Sequence, residues 1–280
     1  MRRSTLEYYE GDELRTNIWI DKYCLNNKGE LMELSPVDMY KRLAKEFYRI
    51  EQNYPNPISY DEIYYLLSEN VILPGGSLLY GIGNEYALSS LGNCFVIGVP
   101  ADSYGGICHT DQEQIQLMKR RAGVGHDLSH LRPSGSTVTN AAKSSTGMVS
   151  FMERYSNSTR EVAQDGRRGA LMLTADITHP DAGKFIEAKD DLTKITGANI
   201  SVKVSDDFMN TLLAKYEAEN AEAQLKAVNL WQKLVHQAWK NAEPGVLFWD
   251  TITRESPADC YEGFKSTSTN PCKNYYKIVA

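Results

Sequence analysis

From about residue 71, short β-rich runs alternate with stretches of helical periodicity, and this alternation restricts the possible folds more than any other feature of the chain. The β-rich runs cover residues 94–99, 170–177, 198–204 and 245–249. Helices are predicted over residues 110–121, near 146–161, and in a long segment marked by Val228, Trp231, Val235 and Trp239. Strands that alternate with helices predict a parallel α/β sheet or barrel.

The first 70 residues have a different, helical pattern. Ser35 and Pro36 supply a cap residue and a proline at the first helical position, which together predict the start of a helix. Ser59 and Glu62 form a capping box that predicts the start of a second, shorter helix. We therefore expect a helical N-terminal region ahead of the α/β part.

Composition and charge exclude several classes of function. The net charge of −6 gives no electrostatic footprint for a nucleic-acid backbone, so any nucleotide would be bound as a small molecule in a pocket. No apolar run approaches the roughly 20 residues needed to span a bilayer. The two arginines near the N-terminus are not followed by the apolar stretch of a signal peptide. The sequence predicts a soluble cytoplasmic protein that binds neither nucleic acid nor membranes.

The cysteines do not have the spacing of a disulfide or zinc framework. They are Cys24, Cys94, Cys108, Cys260 and Cys272, with no C-x-x-C among them. No metal site is assigned, because His126 and His130 lie among glycines and a proline that disfavour a regular helix. Cys272 differs from a core cysteine because it ends a polar turn, Ser-Thr-Asn-Pro-Cys, at residues 268–272. Both a structural and a functional interpretation of this thiol remain open at this point.

Three Gly-rich or basic loops lie where strands and helices meet. They are Pro-Gly-Gly-Ser at 74–77, Leu-Arg-Pro-Ser-Gly-Ser at 131–136 and Gln-Asp-Gly-Arg-Arg-Gly-Ala at 164–170. Backbone N–H groups of a glycine turn can approach an anion, and loop guanidinium groups can reach a phosphate or a base. Asp102 follows the first strand, where it could accept a hydrogen bond from a ribose hydroxyl or cap the next helix. The alternative for each loop is a surface turn with solvated side chains.

Four segments, in this order, resemble the catalytic large subunit of ribonucleotide reductase. They are Asn-Cys-Phe-Val at 93–96, Arg-Ala-Gly-Val-Gly at 121–125, the loop at 164–170 and Thr-Asn-Pro-Cys at 269–272. The resemblance implies an α/β fold with a helical N-terminal region over 1–70. The first half of the family's ten-stranded α/β barrel then covers 71–272, up to the finger loop, and 273–280 is a tail outside the family.

The resemblance implies roles in the reduction of ribonucleotides to deoxyribonucleotides by thiyl-radical chemistry. Cys272 would carry the radical that abstracts hydrogen from the ribose 3′ carbon, Asn270 would bind the substrate hydroxyls, and Cys94 would give up electrons as part of a disulfide. The expected substrate-binding residues are Ser77, Asn93, Ala122 and Gly123. The expected residues for the allosteric effector are Asp102, Ser103, Arg132, Gln164, Arg167 and Arg168.

The resemblance also implies cofactors and partners. Deoxynucleoside triphosphates or ATP are the expected effectors, and the full-length subunit is expected to be a homodimer. No cofactor motif is recognisable in the chain. The radical generator implied is either a metal-bearing small subunit or adenosylcobalamin.

One position departs from the family pattern. Asn274 stands where the family has a glutamate that acts as general base, and an amide cannot accept the proton that a carboxylate accepts. We therefore expect a fragment, interrupted just after Cys272, that lacks the second half-barrel and does not turn over alone. The alternatives are an inactive nucleotide-binding remnant, or one piece of a split reductase that needs its other half.

Overall fold

The computed structural model describes residues 2–162, 169–214 and 221–271, and they form two compact units. The first unit holds residues 2–93 and 120–122, and the second holds residues 94–119, 123–162, 169–214 and 221–271. The domain limits inferred from the sequence, with a boundary near residue 70, stay a prediction. In the described part of the chain, no helix has the length and apolar character needed to cross a membrane.

The first unit is mainly helical. Its elements are α1 (Arg2–Tyr8), α2 (Glu13–Lys22), β1 (Asn26–Asn27), β2 (Glu30–Leu31), α3 (Pro36–Glu51), α4 (Tyr60–Ser68) and α5 (Gly76–Gly81). Ser35 precedes α3 with Pro36 in its first turn, and the Ser59 hydroxyl accepts a hydrogen bond from the backbone N–H of Glu62 at the start of α4. Both helix starts lie where the sequence predicts them. The helices α2, α3 and α4 share a core of their own, which includes Trp19, Leu43 and Leu67.

The second unit is a parallel sheet with helical connections. Its elements are β3 (Cys94–Val96), α6 (Tyr104–Met118), β4 (Gly123–Asp127), α7 (Met148–Glu161), β5 (Leu171–Asp176), α8 (Ala182–Ile186), β6 (Asn199–Val204), α9 (Asp206–Leu213), α10 (Ala221–Asn241), β7 (Gly245–Phe248) and α11 (Trp249–Glu255). The five strands β3 to β7 are all parallel and neighbour one another in chain order. The predicted α/β class is therefore confirmed.

The two faces of this sheet differ in chemistry because side chains alternate along each strand. Val124, Leu173 and Val202 lie in the main hydrophobic core together with residues of α6, α7 and α10. The intervening positions include Thr174 and Lys203, which are also buried. One face of the sheet is therefore an apolar core, and the other face buries polar side chains as well as apolar ones.

The structure corrects several sequence-based boundaries. The strand β4 was not predicted, because its glycines resemble a loop, yet all five of its residues are buried. The helix α6 begins at Tyr104 rather than at residue 110. In α10 the predicted apolar stripe is buried only in part: Trp231 packs against the core, whereas Trp239 is 80% exposed.

Candidate functional site

The segment 266–271 lies against one face of β4, and two glycines of that strand make room for it. A methyl group at Gly125 would lie 1.9 Å from the carbonyl oxygen of Thr269 and 2.8 Å from the Cα of Asn270. A methyl group at Gly123 would lie 3.4 Å from the ring of Pro271. Glycine is therefore required at position 125 by the close approach of another backbone.

Cys94 begins β3 on this same side of β4. It pairs with Gly123 in the parallel ladder, and a methyl group on Gly123 would lie 3.1 Å from the Cys94 Sγ. The thiol and the Pro271 ring thus lie close to the same glycine. Asn270, next to Pro271, is almost completely buried. Two of the three predicted catalytic residues, Cys94 and Asn270, are therefore brought to one face of β4, and Cys272 lies outside the described residues.

A buried polar network lies beyond the glycines on the same face. The Lys203 ammonium is 2.9 Å from the Asp127 Oδ2, with side chains 9% and 2% exposed. The Thr174 hydroxyl donates to the Asp127 Oδ1 at 3.0 Å and lies 2.8 Å from the Ser268 hydroxyl. Asp127, Thr174 and Lys203 were not singled out from the sequence, and Ser268 was named only as part of the polar turn at 268–272. The only sequence signal was a polar residue at alternate positions of β6, a pattern that ordinarily predicts a solvent-facing side.

Three predicted substrate-binding residues belong to the first unit. Ser77, in α5, donates its backbone N–H to the Asn93 side-chain oxygen at 2.9 Å, and a methyl group at Gly75 would overlap the Asn93 amide. The glycine of this loop therefore allows the close approach of Asn93. The Ser77 hydroxyl is buried with no hydrogen-bond partner among the described residues. Ala122 is also buried, directly before β4.

The predicted effector residues Asp102, Ser103 and Arg132 line one cavity of about 230 Å³. The Arg132 Nε donates to the Asp102 Oδ2 at 2.7 Å, and its backbone N–H donates to the other carboxylate oxygen at 3.2 Å. Ser103 caps α6 by accepting from the Gly106 N–H, so Asp102 is not the cap. The remaining wall contains Tyr104, Ile107, Val138, Thr139, Asn140, Ser144, Ser145, Thr146 and Phe151.

The cavity lies beyond the carboxyl ends of β3 and β4, where parallel α/β sheets bind ligands. Its far wall is an arm that folds back on itself through a bridge between Thr137 and Ser144. Ser134, at the base of the arm, donates to Asp181 through both its backbone N–H and its hydroxyl, at 2.7 and 2.8 Å. Burial raises the pKa of Asp181, but the hydrogen bonds from Ser134 and Lys184 outweigh it and hold that pKa below its ordinary value.

The other predicted effector residues, Gln164, Arg167 and Arg168, lie outside the described residues. Sequence reasoning missed the aromatic and hydroxyl groups of the cavity wall, including Tyr104 and Phe151, whose rings meet edge to face. The described residues contain no group of three or more His, Cys, Asp or Glu side chains that could hold a metal ion.

Fold and site define a class of protein: an α/β partial barrel in which a buried polar segment crosses a glycine-rich strand beside a cysteine. The family model for the ribonucleotide reductase barrel domain matches residues 92–217 and 211–278, which together are more than half of the chain. The second match extends to residue 278, past the point where the sequence suggested that the resemblance ends. The chain belongs to the ribonucleotide reductase family.

Individual relatives agree with this assignment. The chain is 34% identical over 216 residues to the vitamin B12-dependent ribonucleoside-diphosphate reductase of Thermoplasma acidophilum, a match that covers 74% of this chain and 28% of the relative. It is 24% identical over 234 residues to the ribonucleoside-diphosphate reductase large subunit of Caenorhabditis elegans, covering 70% of this chain and 29% of the relative. The chain thus spans less than a third of the length of these relatives.

A solved structure has the same fold. The class Id ribonucleotide reductase alpha subunit of Actinobacillus ureae superposes with a TM-score of 0.70 and 18% identity. The superposition covers 89% of this chain and 43% of that subunit. The α/β partial barrel is therefore a portion of a reductase alpha-subunit fold.

Proposed function

We propose that this chain supplies the effector site and part of the catalytic site of a ribonucleotide reductase, and that it takes part in the reduction of ribonucleotides to deoxyribonucleotides. The observation that carries the proposal is the buried segment 266–271, which holds Asn270 against Gly125 beside the Cys94 thiol. Cys272 follows this segment directly in the sequence. Asn270 is proposed to bind the hydroxyls of the ribose, and Ser77, Asn93, Ala122 and Gly123 the rest of the substrate.

The proposed chemistry assigns one task to each thiol. A thiyl radical on Cys272 takes the hydrogen atom from the ribose 3′ carbon and later returns it. Cys94 and a second thiol are oxidised to a disulfide, and they supply the two electrons and two protons with which the 2′ hydroxyl leaves as water and a hydrogen takes its place. A site enclosed by protein would protect the radical from water and oxidants.

The source of the radical is proposed from the relatives. Several of them, from Thermoplasma acidophilum, Mycobacterium tuberculosis and Streptomyces clavuligerus, are named vitamin B12-dependent, and this favours adenosylcobalamin over a metal-bearing small subunit. Adenosylcobalamin supplies the initiating radical when it is bound. No side chain among the described residues is proposed to hold it.

The effector cavity supports the regulatory part of the proposal. We propose that the Asp102 carboxylate accepts a hydrogen bond from the ribose of a deoxynucleoside triphosphate or ATP. Arg132 is proposed to bind its phosphates, and Ser103, Gln164, Arg167 and Arg168 to complete the contacts. Residues 164–170 would then transmit the identity of the effector base to the substrate site. The full-length subunit is proposed to be a homodimer.

A second candidate function, nucleotide binding without turnover, is favoured by one specific observation. Position 274 is an asparagine, and an amide cannot act as the base that the family places there. On this alternative the cavity beside Asp102 and Arg132 would still bind an effector. Both candidate functions predict binding of an effector, and only the first predicts formation of deoxyribonucleotide.

One experiment separates the two candidates. The chain would be assayed alone, and again with the separately expressed remainder of the Thermoplasma acidophilum relative, with adenosylcobalamin, a dithiol and ribonucleoside diphosphates. The expected result is no deoxyribonucleotide from the chain alone, product from the mixture, and no product from the mixture with Cys272→Ser. Effector binding without product in any mixture would favour the second candidate, and the absence of both would overturn the proposed function.

A further inference from the structure

Asp127 and Lys203 are charged side chains buried beneath the segment 266–271. Their separation of 2.9 Å and their near-complete burial make them a desolvated ion pair. The Lys203 ammonium also lies 4.9 Å from the centre of the Trp249 ring, a second favourable contact for the cation. A buried pair costs much of its attraction in desolvation, so it is weak evidence for stability, and fixing one geometry is its best-attested use.

The Asp127 carboxylate fixes the direction of a chain of hydrogen bonds. Its Oδ1 accepts from the Ser129 hydroxyl at 2.9 Å and from the Thr174 hydroxyl at 3.0 Å. A threonine hydroxyl has one proton and an ionised carboxylate can only accept, so the Thr174 proton is committed to Asp127. The Ser268 hydroxyl, 2.8 Å from Thr174, must therefore be the donor in that contact. The Ser268 hydroxyl is thus directed towards β5 and away from the longer 3.3 Å contact with the Thr269 carbonyl.

These contacts place the segment in a defined register on β4. Gly123, Gly125 and Asp127 alternate with core residues and therefore point to the same face. Pro271 lies over Gly123, and the backbone of Thr269 lies over Gly125. The glycines allow close approach, but they carry no group that would stop the segment from sliding along the strand. The directional hydrogen bond that Ser268 donates to Thr174 prevents this sliding.

We propose that Thr174, oriented by the Asp127–Lys203 pair, is a positioning residue that sets where Asn270 lies on β4. Ser268 is two residues from Asn270, so a shift at Ser268 is transmitted along a buried backbone that has little freedom to absorb it. The importance of this position for substrate binding rests on the proposed function. The location of Asn270 on β4 does not rest on the proposed function, because it can be measured without any nucleotide.

The test compares two substitutions at Thr174 that remove different groups. Thr174→Val keeps the shape and removes the hydroxyl, whereas Thr174→Ser keeps the hydroxyl and removes a methyl group. Hydrogen exchange of the peptide that covers residues 266–271 is followed by mass spectrometry in the full chain. We expect Thr174→Val to speed this exchange by about tenfold, the change expected from losing one hydrogen bond, and Thr174→Ser to leave it within about twofold.

Ser129→Ala is the matched control. It removes another donor to the same Asp127 oxygen, but Ser129 makes its second hydrogen bond to the backbone of Asp176 and not to the segment. We expect exchange of residues 266–271 to stay within about twofold in this variant. Faster exchange in Thr174→Ser than in Thr174→Val, or equal acceleration in Ser129→Ala and Thr174→Val, would overturn the proposal. Melting temperatures of all three variants identify any global loss of the fold.

Nucleotide binding separates positioning from a general structural role. We expect Thr174→Val to raise the Kd for a substrate ribonucleotide about tenfold and to leave the Kd of a deoxynucleoside triphosphate effector unchanged, and Thr174→Ser to restore the first value. An equal weakening of both ligands would assign Thr174 a structural role and overturn the proposal. If the wild-type chain binds no nucleotide while the exchange pattern holds, the proposed function fails and the positioning role stands.

Discussion

Arg132 and Asp102 form an ion pair at the effector cavity while more than a third of each side chain stays exposed. Pairs in such surroundings contribute little to folding, about 0–1 kcal/mol, because water screens the charges. Arg132 also donates to the Asp102 backbone carbonyl, so the guanidinium is held in one orientation. A fixed, solvent-accessible guanidinium is suited to binding a phosphate. We therefore expect Arg132 to contribute to the affinity for the effector and little to the free energy of unfolding.

Arg132→Ala tests whether Arg132 contributes to effector binding and not to stability. We expect the Kd for a deoxynucleoside triphosphate to rise at least about tenfold, in keeping with loss of a charge-assisted hydrogen bond, while the free energy of unfolding falls by less than about 1 kcal/mol. Arg254→Ala is the control, because Arg254 forms an exposed pair with Asp206 and does not line the cavity. Calorimetric titration and urea denaturation supply the two measurements. Equal effects of the two substitutions on affinity would contradict the assignment of Arg132.

Gly125 gives the sharpest steric prediction at the residue scale. Gly125→Ala would place a methyl group within 1.9 Å of the Thr269 carbonyl oxygen, so the segment must move or β4 must distort. We expect a loss of about 1–3 kcal/mol in the free energy of unfolding, the usual cost of overpacking. Gly98→Ala is the control, since a methyl group at Gly98 would meet nothing within 4 Å. Similar urea midpoints for wild type and Gly125→Ala would contradict the close approach of the segment.

The strand β4 has a second face, which carries His126 into the apolar core. The ring is fully buried, 4.5 Å from the Tyr155 ring, and its Nε2 lies 3.2 Å from the Gln114 side-chain oxygen. The Gln114 amide nitrogen already donates to the Tyr155 carbonyl, so its oxygen is the group that accepts from His126. Burial lowers the pKa of His126 to about 3, and the imidazole is therefore neutral in the folded chain.

This neutral histidine makes stability depend on pH. In the unfolded chain a histidine binds a proton below about pH 6.5, whereas folded His126 stays neutral down to about pH 3. Above about pH 6.5 this histidine does not change the free energy of unfolding with pH. As the pH falls from 6.5 towards 3, only the unfolded chain binds the proton, and the free energy of unfolding falls by about 1.4 kcal/mol per pH unit. His126→Gln should remove this slope. His109→Gln, at an exposed histidine, should not, and urea denaturation between pH 7.5 and 4.5 distinguishes the two.

At the scale of elements, apolar runs predicted four of the five strands of the large sheet to within a few residues. Each of these runs contains enough branched apolar residues to be recognised without its neighbours. The exception, β4, contains Gly123 and Gly125, and glycine at position 125 is required by a segment about 145 residues later in the sequence. Local propensity cannot report such a distant requirement, and the strand is therefore not recognisable from its own sequence.

Residues of the candidate site that belong to local sequence motifs were predictable, and residues whose setting depends on the tertiary structure were not. Asp102 was found because it follows a predicted strand end, where ligand contacts collect in parallel sheets. Arg132 was found because it belongs to a basic, glycine-containing loop, and its expected role came from the family resemblance. Lys203 was missed because alternating polar residues in a strand suggest exposure to solvent, and Asp127 was missed because its strand, β4, was not predicted. Here the polar face is covered by the segment 266–271, and coverage is a property of the tertiary structure.

At the scale of the whole molecule, the parallel sheet ends at β3 on one side and at β7 on the other. In the described residues β3 pairs only with β4, and β7 pairs only with β6. Parallel sheets are normally covered, and an open edge is a template for pairing with another chain. Phe248 at the end of β7 is about half exposed, which adds apolar surface to that edge.

We therefore expect the chain on its own to self-associate. Light scattering coupled to size exclusion should show oligomers, and Phe248→Lys should reduce them because a charged edge resists pairing. Leu213→Lys is the matched control, since Leu213 is an exposed leucine at the end of α9 and lies off the sheet edge. A monodisperse monomer that melts cooperatively would contradict the expectation.

The division of β4 between two faces also limits how this gene can change in length. Adding or deleting one residue within residues 123–127 would exchange the faces, so that His126 would meet the segment 266–271 and a glycine would enter the core. The arm at 137–144 is under no such constraint, since it has no two buried faces to keep in register and its tip at residues 140–143 is exposed. Among natural variants of this chain, length differences should therefore collect in the arm and be absent from β4.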